Sequence, residues 1–177
     1  MREKHEWENF RTFKQRGEWV ELQFMADAFM RGYHVLKPWG EILEYDVGIE
    51  QDGSLLRVQV KSSTARNGTG YLCQFRRNYL IEESYSLEGL DLFATYVIPE
   101  KAWYLIPAAV ILLPTIKYAI TLCPITARKK DRYKYEHYRE AWELLSRTKE
   151  ELNDITTKAN KNPTEDRRTV SSGRTAL

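Results

Sequence analysis

The stretch Glu44-Tyr45-Asp46-Val47-Gly48-Ile49-Glu50-Gln51-Asp52-Gly53-Ser54-Leu55-Leu56-Arg57-Val58-Gln59-Val60-Lys61 decides how this chain is read. Two alternating runs, 44–51 and 54–61, flank Asp52-Gly53, the dipeptide that most strongly marks a tight hairpin turn. With a two-residue loop, Gln51 faces Ser54 and pairing proceeds outward one residue at a time. Asp46 then lands opposite Gln59. Directly opposed side chains share a face, with Cβ atoms roughly 4.5–5.5 Å apart. Lys61, two positions beyond Gln59, shares that face too. Tyr45, Val47, Ile49, Leu56, Val58 and Val60 fall on the other face and form an apolar set that belongs in a core.

A carboxylate, an amide and an ammonium on one face suit a hard divalent cation. Mg²⁺ takes oxygen ligands, keeps several waters and uses only one or two carboxylates. Asp46 would be the central ligand, and the Gln59 side chain or a neighbouring backbone carbonyl would add a neutral oxygen. Lys61 would orient or activate a water, or stabilise charge on a phosphate. An ordinary hairpin with one solvated face has the same alternation, so the hairpin alone does not separate the two readings. Glu21 adds weight to the first. A helix over residues 17–31 places Phe24, Met25 and Ala28 on the same face as Glu21, with Val20 and Leu22 beside it. A carboxylate on an apolar stripe needs a partner or a cation, because desolvating it alone is costly. A structural ion pair, for instance with Lys61, is the competing explanation.

The rest of the chain sets the frame. At 177 residues it is one domain of ordinary size, and with 42% apolar and 29% charged residues most of it should be globular. A net charge of +2 permits a nucleic-acid partner without requiring one. Cys73 and Cys123 lack metal-site spacing, and His5, His34 and His137 are scattered, which argues against zinc. There is no stretch of signal-peptide or membrane-spanning length, so a cytoplasmic protein is the expectation. Further expected elements are a short strand at 33–36, strands at 71–75, 92–98 and 102–106, and a helix from 133 to about 151 in which Tyr138, Trp142 and Leu145 dock on the body. Residues 108–126 are apolar but broken by prolines and have no clear assignment. The folded domain is expected over 1–157. The polar tail, 158–177, is expected to be disordered, with Lys158, Lys161, Arg167, Arg168 and Arg174 prominent. Helix, strands and terminal helix together predict an α/β domain around a largely antiparallel sheet.

A Glu in the first helix, an Asp on the second strand and Gln-x-Lys on the third resemble the layout of the PD-(D/E)XK nuclease superfamily, and within it the group I intron-associated endonuclease branch. Gly17-Glu18-Trp19-Val20-Glu21, Pro38-Trp39-Gly40-Glu41, Tyr45-Asp46-Val47 and Arg57-Val58-Gln59-Val60-Lys61-Ser62 carry the likeness. Residues 91–98 and 103–107 resemble that branch's later strands. The resemblance implies a restriction-endonuclease-like core, a central mixed sheet flanked by helices. It also implies dependence on Mg²⁺ (or Mn²⁺) and hydrolysis of DNA phosphodiester bonds, with Glu21, Asp46, Gln59 and Lys61 as the active-site set and Asp46, Gln59 and Glu21 as metal ligands. Tyr45 stands where the eponymous proline would be, and Gln59 replaces the usual acid. The second departure leaves open a catalytically inactive DNA-binding or interaction module on the same fold.

A DNA partner needs cations near the metal. Arg66 follows Lys61 in a polar loop, Arg76 and Arg77 follow the next strand, and Arg128, Lys129, Lys130, Arg132 and Lys134 form a cluster interleaved with Tyr133 and Tyr135. Such groups supply salt-dependent phosphate affinity rather than sequence choice. Trp39 would stack on a base or simply pack. A homodimer is conceivable, with the apolar 108–125 region as its interface.

Overall fold

The computed structural model describes residues 9–40, 42–76, 85–113, 116, 119–123 and 134–161, with side chains as far as 155 in the last helix. Helix α1, Phe13–Met30, begins ahead of the predicted start because Thr12 caps it, its hydroxyl accepting from the Gln15 N–H at 3.0 Å. Gly32, at φ +89°, ends the turn as the sequence predicts. Strand β1 (His34–Leu36) follows, then the hairpin β2 (Val47–Gln51) and β3 (Ser54–Ser63). Both turn residues have positive φ, 52° at Asp52 and 77° at Gly53, as a turn matching the strand twist requires. The register runs from Gln51 opposite Ser54 to Val47 opposite Val58, so the predicted pairing holds.

After the two-residue strand β4 (Arg66–Asn67) and β5 (Gly70–Gln74), the chain forms β6 (Leu92–Val97) and β7 (Ala102–Pro107), the short helix α2 (Ala108–Ile111) and β8 (Ala119–Leu122). The main sheet has the order β1-β2-β3-β6-β7. It is mixed, because β3 and β6 run parallel and every other pair is antiparallel. A smaller sheet has the order β4-β5-β8, and β8 and α2 are the elements that fall in the 108–126 stretch left unassigned by sequence periodicity.

Strand β3 is therefore central, and both of its faces are covered. Val58 and Val60 are buried on one side, but so are Gln59 and Ser63 on the other. The simple picture of a hairpin with one solvated face is corrected here. Helix α1 covers one face through Val20, Phe24 and Ala28, with Phe24 edge-on to Trp103 at 5.3 Å. By the strand alternation Phe93 points the opposite way, and Phe75 and Tyr85 meet it edge-on at 4.8 and 5.3 Å.

The predicted helix at 133–151 is replaced by 3₁₀ turns at Glu136–Tyr138 and Trp142–Ser146, then α3 at Lys149–Lys161. The break is Glu140, at φ +52°. Its N–H donates to the Trp103 carbonyl at 2.9 Å, and its carboxylate accepts from Trp103 N–H and Trp142 Nε1 at 2.7 and 2.8 Å. These bonds satisfy the free edge of β7 and hold a backbone conformation that non-glycine residues disfavour. Tyr138, Trp142 and Leu145 are buried, as their spacing predicts. Lys158 and Lys161 lie on α3 rather than in a tail, while Arg167, Arg168 and Arg174 fall outside the described residues. Val110, Ile111, Ile120 and Leu122 are packed in the chain's own core, so these side chains of the 108–125 region are not free to form a dimer face. Among the described residues, no helix is long and apolar enough to cross a membrane.

Candidate active site

The hairpin register sets the site. The Asp46 N–H donates at 2.9 Å to the carbonyl of Val58, the residue that Val47 faces, so the regular ladder ends there and Asp46 stands at its edge. This seats the Asp46 side chain beside Gln59. Its Oδ2 accepts from the Val60 backbone N–H at 2.9 Å and from the Gln59 side-chain amide. Lys61 follows on β3, and Glu21 arrives from α1. Glu21, Asp46, Gln59 and Lys61 all line one cleft of about 830 Å³, so the structure brings the predicted set together.

The electrostatics of the cleft are unbalanced. Burial pushes the Asp46 carboxyl up to about 6, and the neighbouring Glu21 charge pushes the same way. The Val60 N–H and the charges of Lys61 and Lys37 oppose this without cancelling it. The Lys61 ammonium is held below its ordinary value, chiefly by desolvation, against the pull of Asp46 and Glu21. Its Nζ donates to the Tyr85 hydroxyl at 2.6 Å and lies 5.1 Å from that ring's centre. Tyr85 is itself buried against Phe93, so the lysine is tethered to the core.

Glu21 is less enclosed than its apolar neighbours imply, with its side chain 25% exposed. Its partner is Lys37, whose Nζ lies 2.5 Å from Oε2, not Lys61. Lys37 stands just after β1, in a segment without periodicity, and nothing in the sequence pairs it with α1. Tyr85 was equally hidden, in a stretch with no regular pattern. Arg16 also lines the cleft. Starting the helix at residue 17 concealed it; with Thr12 as the cap, Arg16 stands one turn before Val20 on the inward face.

The predicted DNA-contacting cations divide. Arg76 lines the cleft. Arg66 does not; it stacks over the Tyr71 ring at 5.4 Å and lies 4.0 Å from Glu100. Lys134 lies over the ring of Tyr135. Arg77, Arg128, Lys129, Lys130 and Arg132 are outside the described residues. Trp39 is fully exposed among the described residues. No group of three or more His, Cys, Asp and Glu side chains occurs among the described residues. With Gln59 in place of an acid, the cleft has only Glu21 and Asp46 as carboxylates.

A family model described as PD-(D/E)XK endonuclease matches residues 11–145. Among solved structures, the bacterial homing endonuclease I-Ssp6803I superposes with a TM-score of 0.64 at 26% identity, covering 86% of this chain and 99% of that one. No curated protein matches by sequence.

Proposed function

Because this chain belongs to the PD-(D/E)XK endonuclease family, we propose that it is a metal-dependent DNA endonuclease using Glu21, Asp46, Gln59 and Lys61. The observation that carries the reading is the under-compensated Asp46, a buried carboxylate whose charge is opposed by a second acid in the same cleft. Such a site fits a small divalent cation with oxygen ligands, Mg²⁺ or Mn²⁺. Asp46 and Glu21 would supply its charged donors. Gln59 would supply a neutral one, after a half-turn that exchanges the amide N–H now donated to Asp46 for its oxygen. When bound, the ion neutralises charge on the phosphate and acidifies the attacking water. Lys61, desolvated and held by Tyr85, donates hydrogen bonds to that water or to a phosphate oxygen. Lys37 would yield Glu21 to the ion.

Arg76 would grip the strand within the cleft, and Arg66, Arg77, Lys129 and Lys130 would add contacts outside it. Likeness to a homing endonuclease favours the intron-associated branch over repair or restriction enzymes.

Nicking of a supercoiled plasmid in Mg²⁺ tests the reading. It should be abolished by Asp46→Ala and by Lys61→Ala in protein that still folds. Cleavage that persists in both variants removes it. A second reading, an inactive DNA-binding module, draws on the Gln59 amide, which satisfies Asp46 without any ion. DNA affinity indifferent to Mg²⁺ and to Asp46→Ala, with no nicking, would favour that alternative.

A further inference from the structure

The metal reading leaves one charged side chain of the cleft without a task. Arg16 lines the wall with Phe13, Gly17 and Val20 from the start of α1 and Thr64 from beyond β3. One terminal nitrogen, Nη1, donates to the Thr64 hydroxyl at 3.3 Å, and the guanidinium carbon lies 5.2 Å from the centre of the Phe13 ring. Its Nε is buried with no acceptor. Among the described residues, no carboxylate pairs with it. Arg57, a guanidinium carried by β3 itself, differs completely, because Asp91 grips it through Nε and Nη2 at 2.9 Å each. Burial works against the Arg16 charge, and no neighbouring anion offsets it.

A guanidinium that lines a cleft, is partly stripped of water and has no carboxylate partner among the described residues suits an incoming anion with acceptor oxygens. We propose that Arg16 holds a phosphate of the bound DNA strand, one that neighbours the phosphate to be cut. Arg16 and Glu21 are separated by about 7.5 Å along the helix axis at ~1.5 Å per residue, which sets the guanidinium apart from the acids that would hold the metal. Thr64 braces the side chain from the β3 side, and the Phe13 ring covers it. The inference rests on the nuclease reading for the identity of its ligand, but it concerns binding rather than the chemical step.

Duplex DNA titrated in EDTA across a salt series, read by fluorescence anisotropy, tests it apart from cleavage. Arg16→Gln should weaken binding about tenfold at low salt and make the plot of log K against log salt shallower by about one. Arg16→Lys should restore the slope and only part of the affinity, because it keeps the charge and loses the fork. Thr64→Val keeps the guanidinium and should keep the slope. Wild-type affinity and slope in Arg16→Gln would overturn the proposal. So would an equal loss in Thr64→Val, which would reduce Arg16 to a fold contact. If Mg²⁺-dependent nicking is seen while Arg16→Gln binds normally, this inference alone falls. If binding depends on Arg16 as described and no nicking occurs, the nuclease reading alone falls.

Discussion

Asp46 and Asp91 are two carboxylates packed against the same strand, and the contrast between them separates a site from a scaffold. Each accepts a backbone N–H of β3 at 2.9 Å, from Val60 and from Arg57 respectively. Asp91 then receives the bidentate fork of Arg57, with the Lys149 ammonium 3.5 Å away. Arg57 also donates to the Glu88 carbonyl, and Asp91 uses its own backbone to join Arg57 and Ala108. Its charge is fully answered within the fold. Among the described residues no guanidinium pairs with Asp46, which shares its cleft with Glu21 and has its proton affinity raised by burial. A buried acid with its cation already in place holds strands together, whereas one left short of positive charge has a vacancy in its electrostatics that a ligand can fill.

Substitutions should break the two acids in opposite directions. The largest effect expected is on activity: Asp46→Ala should lower plasmid nicking by about a thousandfold or more, the rate equivalent of several kcal/mol of transition-state stabilisation. Asp91→Ala should instead remove about 3–5 kcal/mol of stability, because it strands Arg57 without its partner. Urea unfolding would detect that loss, and nicking per folded molecule should change little. A stable Asp91→Ala protein would erase the distinction.

Asp46→Asn should stabilise the metal-free protein by roughly 1–2 kcal/mol at pH 8, a discounted share of what the shift in proton affinity implies. The sign follows from the folded carboxyl standing near 6 against an ordinary value of 3.8. The folded state binds its proton more tightly, so stability falls as pH rises between those values, and the penalty is complete above the higher one. The advantage of Asp46→Asn should therefore disappear below about pH 4 in thermal melts. The same carboxyl should govern metal uptake. Mn²⁺ affinity, followed by electron paramagnetic resonance, should rise about tenfold per pH unit up to about 6 and level off above it. A flat profile between pH 5 and 7 would mean that Asp46 is not the ligand that titrates. Smallest of all, Lys37→Met should tighten Mn²⁺ binding only ~2–3-fold, since the Lys37–Glu21 pair is half exposed and easily surrendered.

Much of this was legible because one local signal governs several residues. Asp52-Gly53 forces the turn, the turn sets the register, and the two-residue period of the strands puts Asp46, Gln59 and Lys61 together. Glu21 stood out as a charge among apolar neighbours. What escaped notice depends on distant partners. The parallel pairing of β3 with β6 leaves no trace in periodicity, and the family resemblance implies no more than a mixed sheet. Strand β8 exists by pairing with β5, and the break at Glu140 persists only because Trp103 and Trp142 supply bonds for it. Lys37 and Tyr85 reach Glu21 and Lys61 from irregular segments, where sequence spacing says nothing about direction.

The parallel seam between β3 and β6 also implies an order of assembly. Asp46 and Gln59 are 13 residues apart and meet as soon as the hairpin zips, an event on the scale of ~1–10 μs. Arg57 and Asp91 are 34 apart and must wait until the whole crossover has been drawn in, a slower and entropically dearer closure. The acid of the cleft should therefore find its amide partner before the ion pair that locks the central strands exists. During that interval a nascent chain would already carry the paired Asp46 and Gln59 side chains, before β6 has closed over the far side of β3.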